Sequence, residues 1–381
     1  MVRWCCTKSN RKRKPPKAPK AGGHSPAPAP VPIPPVPPPP PAPASPPPDP
    51  TPPPPPLGAW PPAVRAAGLG EVYDLRSSAG PTSPANKTPS NAPGLLPAGA
   101  SLSSVLGFPV LVITQAASFE RWDFSGWAVS IQAAVTVTFI DCRFQAPRDS
   151  GMQALYGGSL SGTSGVTINL VRCHVDGATN LPPTSPLASG AKPPQNLLSV
   201  NSTITASRSV FVSASKSTIN CDGPGASSFS WCYFGCPAQK VYSSSNAELN
   251  THAEVGNLAG GDVIIDHCLF DCADGAEQAL SVHAETCVAG LFLFSPRVSH
   301  LDCAISNSLL LIRNLPSEYT MQGGDGDFGA DLTFTNNVIQ RPTRPSGGLG
   351  GHISFSGSNL SGAGNRDFDG GSLLSGAINI P

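Results

Sequence analysis

Charge is scarce in this chain: Asp, Glu, Lys and Arg make up 13 % of its 381 residues. Nowhere does an apolar run approach the ~18–20 residues of a membrane span. The basic N-terminus is not followed by an apolar stretch, which excludes a standard signal peptide. Eleven cysteines, an odd number, argue against a framework made only of paired disulfides. Helix formers are sparse after Leu57, and stripes at 3.6-residue spacing are missing, which excludes a helical solenoid.

The formal net charge of zero hides an asymmetry. Residues 1–20, "MVRWCCTKSNRKRKPPKAPK", hold eight Lys/Arg and no acid. The remainder has 16 Lys/Arg against 24 Asp/Glu, so a basic tail precedes an acidic body. The tail has Trp4 as its only aromatic, too little for stacking on single-stranded nucleic acid. It reads as a solvated tail or as an anchor to nucleic acid, an anionic membrane surface or an acidic partner. Residues 21–57 are dominated by proline, which lacks an N–H and cannot join a sheet. Extended as polyproline II, Pro26 to Pro56 spans roughly 100 Å. A semi-rigid spacer and a ligand for SH3-type or WW-type domains are both compatible with it.

Residues 58–381 are different: Ser, Gly, Thr, Val, Ile and Asn dominate. Here a short pattern recurs. In "VIIDHCLFDCADG" (Val263–Gly275), Val263 stands five residues before Cys268 and Phe270 two after. The same register fits Val137, Cys142 and Phe144; Ile168, Cys173 and Val175; Ile204, Ser209 and Phe211. It continues through Cys232 with Phe234, Ser308 with Leu310, and Leu332, Asn337 and Ile339; Ser227 breaks the first position. The anchors are spaced 31, 36, 23, 36, 40 and 29 residues apart. Recurrence at that interval, with period-2 alternation and β-branched residues, predicts an all-β chain folded as a parallel β-helix. Its coils would stack at about 4.8 Å. The anchors then form one inward column of small side chains, in which cysteine acts as a small apolar residue. Zinc on Cys232, Cys236, Cys268 and Cys272, or a disulfide between stacked cysteines, are the competing readings.

Four segments in order carry a resemblance: "PSNAPGLLPAGASL" (Pro89–Leu102), "VTVTFIDCRF" (Val135–Phe144), "THAEVGNLAGGDVIIDHCLFD" (Thr251–Asp271) and "SEYTMQGGDGDFGADLTFTNNVIQRP" (Ser317–Pro342). The chain resembles the pectate-lyase-like right-handed β-helix domains of bacterial surface proteins and phage tail proteins, over about residues 84–342. The resemblance implies a right-handed solenoid; that fold hosts lyases, hydrolases, epimerases, spikes and adhesins. Of the family's His-Thr-Asp-Gly segment this chain keeps His252, with Glu254 in the acidic position and Ala253 and Val255 replacing Thr and Gly.

The candidate chemistry lies on "QKVYSSSNAELNTHAEVGN". His252 and Glu254 at i, i+2 face one side of a strand, as do Lys240 and Tyr242. Lys240, His252 and Glu254 are the candidate catalytic groups, as base and as oriented acid/base couple. Tyr242 and Asn257 are the candidate substrate-binding residues. "GGDGDFGAD" places Asp325, Asp327 and Asp331 near glycine turns; Asp325 and Asp327 are the candidate metal ligands, and oxygen donors of this kind suit Ca²⁺. No other cofactor is implied.

Two function classes follow. One is a surface- or particle-displayed β-helix binding an extended glycan, like an adhesin or spike, with its tail anchored to a further partner. The other is a polysaccharide lyase or glycoside hydrolase working in a groove on the coil. The acidic body and hydroxyl-rich composition favour a neutral cell-surface glycan or polysaccharide over a polyuronate. Display outside the cell or on a virion would then need a route other than a standard signal peptide.

Overall fold

The computed structural model describes residues 60–81, 87–147, 152–157, 165–176, 195–199, 202–212, 219–221, 226–235, 256–258, 262–271, 291–293, 300–311, 319–323, 329–339, 351–355 and 359–368. The described part is predominantly β and mostly parallel, as the alternation and the repeat anticipate. Strands fall into three sheets of ten, nine and nine. From Ala117 onward the chain visits the sheets in rotation, so each circuit adds one strand to each. The first sheet opens with β1 (Ala100–Val105) and β2 (Phe108–Ile113), the one antiparallel pairing among the described residues, and continues in parallel from Ala128–Ile131 to Gly351–Phe355. The second runs from Ala117–Glu120 to Asn359–Ser361, and the third from Asp123–Ser125 to Arg366–Asp367.

The register is the one read from the sequence. Val137, Ile168, Ile204, Ser227, Val263, Cys303 and Leu332 pair in one row of the second sheet. Phe144, Val175, Phe211, Phe234, Phe270, Leu310 and Ile339 pair in one row of the third. Ser227, which breaks the apolar pattern, is buried and its Oγ accepts the Ile204 N–H at 3.1 Å. Aromatic rings stack up the interior because equivalent positions lie one strand spacing apart. Phe211, Phe234 and Phe270 form one such pile, with centroids 5.1 and 4.7 Å apart.

Between the second and third sheets the chain turns on a single residue in the left-handed region. Eight of the nine non-glycine residues with positive φ among those described stand in this column: Arg121, Asp141, Arg172, Arg208, Trp231, His267, Asn307 and Asn336. Gly364 continues it. The residue after each turn is an inward, fully buried anchor: Cys142, Cys173, Ser209, Cys232, Cys268, Ser308, Asn337. Trp122 and Asn365, not recognised in the sequence pattern, extend the column at its two ends.

The anchors bond along the stack. Ser209 Oγ accepts the Cys173 N–H at 3.0 Å, Cys268 Sγ the Cys232 N–H at 3.4 Å, and Ser308 Oγ the Cys268 N–H at 3.0 Å. Asn337 Oδ1 accepts the Ser308 N–H at 2.8 Å. Toward the same, preceding coil the Cys142, Cys173 and Cys268 thiols also point to the carbonyls of Phe119, Phe139 and Phe229, at 3.4–3.5 Å. Burial, reinforced by the neighbouring cysteine, pushes the Cys173 and Cys268 thiols well up, so they stay protonated and can donate. The described cysteines 142, 173, 232, 268 and 303 are free thiols. Cys236 and Cys272 lie outside the described residues.

Not everything before the first strand is irregular. Helices α1 (Pro62–Ala67) and α2 (Gly70–Ser78) precede the first strand. Pro62 opens α1, and Gly68 in the left-handed region closes it by donating to the Arg65 carbonyl. The Trp60 ring lies directly against Gly70, where a Cβ would stand 2.4 Å from it, and its Nε1 donates to Asp74 at 3.1 Å. The helical segment covers the outward face of the third sheet. There Val210, Tyr233, Leu269, Leu309 and Val338 stack in register and are buried with Val64, Leu69 and Val72. The strands explain the cover: "VFV", "YFG" and "LLL" have no polar face to give to water. No helix among the described residues is long and apolar enough to cross a membrane.

The cover ends at His174, whose neighbour Gly80 donates its N–H to the Arg172 carbonyl. His174 Nδ1 is buried without a partner. Burial, with the Arg143 charge alongside, lowers its pKa to about 4, against a weaker opposing pull from the Ala79 carbonyl. The folded value thus lies below the unfolded value of about 6.5, so the unfolded chain takes up the proton first as pH falls. His174 costs nothing above about pH 7; stability is lost progressively between about pH 6.5 and pH 4, by roughly 2–3 kcal/mol. Urea midpoints at pH 7.5 and 4.5 are expected to differ less in His174→Gln than in the parent. Equal differences would show that His174 is not the group responsible.

Candidate functional site

The sequence-derived site falls mainly on chain that is not described. Lys240, Tyr242, His252, Glu254, Asp325 and Asp327 all lie outside the described residues. Asn257 is on the first-sheet strand Gly256–Leu258, in register with Asn220 and Phe292. Asp331 is on Gly329–Thr335, opposite Asp302, whose N–H donates to Asp262 Oδ1 at 3.2 Å.

The structure builds a different candidate on the outward face of the second sheet. Alternation along its strands sends every second side chain outward. Ser118, Thr138, Asn169, Thr205 and Ser228 align in one row, and Thr136, Thr167 and Thr203 in the next. Asn169 Nδ2 donates to Thr138 Oγ1 at 3.3 Å. No Asp, Glu, Lys or Arg occurs in the strands Thr136–Ile140, Val166–Val171, Ser202–Ser207 and Ser227–Ser230. These two rows form a lattice of hydroxyls and an amide, each able to donate and accept; the third outward row, Glu120, Ile140, Val171, Ser207 and Ser230, is mixed, and the first row continues to the exposed Ile264.

Along the edge of this lattice runs the left-handed turn column. A positive φ costs an L-residue about 1–2 kcal/mol and suits Asn, Asp and His best. Arg121, Arg172, Arg208 and Trp231 occupy it nonetheless. Each turn N–H is satisfied by the following coil; Trp231, for example, donates to the Asp266 carbonyl at 3.0 Å. On two earlier coils Asp141 and Arg172 form a two-point ion pair at 2.7 and 2.8 Å.

The densest group centres on Asp266. Its Oδ2 accepts His267 Nδ1 at 2.7 Å, and its Oδ1 accepts Ser306 Oγ at 2.7 Å and Asn307 Nδ2 at 2.8 Å. Partial burial works against the charge, but donation from Ser306, His267 and Asn307 outweighs it and holds Asp266 below the usual carboxylate range. With Nδ1 bound to Asp266, the His267 ring is fixed in orientation and its Nε2 faces away from the carboxylate. The Trp231 indole lies flat on the His267 ring, centroids 4.5 Å apart and planes 10° from parallel. A rigid aromatic plate thus stands beside an ionised carboxylate, an amide and a hydroxyl, at the border of an uncharged hydroxyl lattice. Such a set can stack on a sugar ring's C–H face and hydrogen-bond its hydroxyls.

His252 and Glu254 lie outside the described residues; among those described, a carboxylate and an imidazole lie side by side at Asp266 and His267. Those residues stand in "VIIDHCLF", immediately before the anchor Cys268. The signal for them was the position before each anchor, which the turn always throws outward. Among the described residues no three His, Cys, Asp or Glu side chains gather closely enough to hold a metal ion. The chain matches no family model, no curated protein and no solved structure.

Proposed function

We infer that the protein is a right-handed parallel β-helix of pectate-lyase-like type, displayed on a surface or particle, that binds an extended neutral glycan. The glycan lies along the outward face of the second sheet and is gripped at the Trp231–His267 plate. The carrying observation is the junction of an in-register, uncharged hydroxyl lattice with a stacked aromatic pair. Stacked coils repeat at about 4.8 Å, a regular interval suited to a regular polymer. The acidic body disfavours polyanions and is indifferent to neutral chains. The Pro-rich segment serves as the spacer, and the basic tail as the anchor to an acidic partner.

Affinity electrophoresis against neutral glycans and polyuronates tests this reading. Retardation by at least one neutral glycan is expected, with little by polyuronates. Trp231→Ala is expected to weaken it roughly tenfold, about 1.4 kcal/mol, with a thermal midpoint within a few degrees of the parent. Retardation only by polyuronates, or unchanged binding in Trp231→Ala, would refute it.

The Asp266–His267 couple favours a second reading, cleavage of the bound polysaccharide, with Lys240, His252 and Glu254 as its sequence-derived participants. It stands only if product release from a glycan panel, with and without Ca²⁺, is measurable and is lost in His267→Ala or His252→Ala.

A further inference from the structure

We propose that two copies of this chain associate edge to edge through β1, antiparallel about a two-fold axis, joining their first sheets into one continuous sheet. β1 ends the first sheet: one edge pairs with β2 over six residues, and no described strand lies on the other. Ser101 to Val105 are exposed throughout. Leu95, Leu102, Val105 and Leu106 are four of the five large apolar side chains exposed among the described residues. A free edge is ordinarily blunted by charge, proline or a bulge. Here no charged residue occurs between Lys87 and Glu120.

The hairpin tip gives a second, independent sign. Leu106 and Gly107 both have positive φ, 53° and 85°, forming a tight two-residue turn. Such turns facing water favour Asn, Asp or Gly at the first position. This one carries a leucine that is 89 % exposed.

A second copy is the occupant the chemistry selects. The chain's own Pro-rich segment lacks most of the N–H donors that a strand partner must supply. An uncharged Ser/Leu/Val edge meets its own copy without like-charge repulsion. The hydrogen-bond phase of β1 fixes the pairing. Thr114 donates to the Gly99 carbonyl, and Pro109, which has no N–H, stands opposite Ser104. Gly99, Ser101, Ser103 and Val105 therefore point their backbone groups to β2, while Leu102 and Ser104 point theirs to the free edge. A two-fold axis through Ser103 pairs Leu102 with Ser104 of the other copy, twice, and sets the two Ser103 side chains opposite each other.

Sedimentation velocity of the full chain over a micromolar concentration series is expected to show a monomer–dimer equilibrium. Ser103→Lys, which would face two lysines across the axis, is expected to weaken the dimer at least tenfold while leaving circular dichroism, and the thermal midpoint at concentrations where the parent is monomeric, unchanged. Ser103→Cys under mild oxidation is expected to give a disulfide-linked dimer beyond any seen with the parent, because residues in a non-hydrogen-bonded pair approach to about 4.5 Å between Cα atoms. A monomer at every concentration, a dimer unaffected by Ser103→Lys, or no added cross-linking in Ser103→Cys would overturn the proposal. None of these outcomes bears on glycan binding at the second sheet.

Discussion

Cys268→Asp is expected to destabilise the protein by several kcal/mol, enough to prevent folding or to move the thermal midpoint by more than 10 °C. The Cys268 side chain is fully buried and bonds twice to the preceding coil, accepting the Cys232 N–H and pointing to the Phe229 carbonyl. A carboxylate could keep the first bond. Its second oxygen would face the Phe229 and Asp266 carbonyls, acceptor against acceptor, and its charge would have no partner. Cys268→Asn should behave otherwise. Asn337 shows the geometry on the same column: its Oδ1 accepts the Ser308 N–H while its Nδ2 donates to the Ile305 carbonyl at 2.9 Å. Asn or Ser at 268 is therefore expected to cost about 1 kcal/mol. Similar denaturation midpoints for Cys268→Asp and Cys268→Asn would show that the column is not the dry, bonded stack described above.

Phe234→Ala is expected to cost about 3–5 kcal/mol, the range for a phenylalanine removed from a core that collapses incompletely. Phe234 is in the middle of the pile formed with Phe211 and Phe270, and Phe229 meets it edge-on at 5.7 Å. Its truncation removes two stacked contacts, and flanking coils fixed by ladder hydrogen bonds cannot close the gap. Phe234→Leu should recover more than half of the loss. Chemical denaturation monitored by circular dichroism measures both. A cost below 1 kcal/mol for the alanine would mean that the pile is dispensable. Because contacts run mainly between neighbouring coils, a partly unfolded intermediate is also expected in the Phe234→Ala transition.

The coil register was legible in the sequence because its inward anchors obey one narrow rule. A position just inside a one-residue turn admits only a small side chain that can bond back to the preceding coil. Cys, Ser and Asn satisfy that rule and keep it over intervals that vary with loop length. The helical cover was not legible. α1 and α2 are short, begin with proline and glycine, and carry no strong apolar stripe. Their signature lay instead in the strands they protect, such as Leu309–Leu311, where alternation fails because both faces are buried. The Asp266 group was hidden for another reason. Ser306 and Asn307 come 40 and 41 residues after Asp266, and nothing local marks them as its donors until the coils are stacked. His252 and Glu254 stood out on local spacing, a test that the turn column does not share.

The segment from Trp60 to Gly80 runs against the order in which coils are made. α1 lies over the strand Leu309–Leu311, and Arg366 bonds to the Ala66 carbonyl 300 residues away in sequence. Gly80 bonds to an early coil, at Arg172. During synthesis the early coils can stack as they emerge, since each needs only its predecessor. The apolar face of Val210, Tyr233, Leu269, Leu309 and Val338 cannot be fully covered until the last of those strands is in place. Helix docking is thus the late, slow event of folding, with a loop-closure cost that local stacking does not carry. Until it happens, the nascent protein exposes a row of apolar side chains, and that interval is when aggregation or chaperone capture competes with completion.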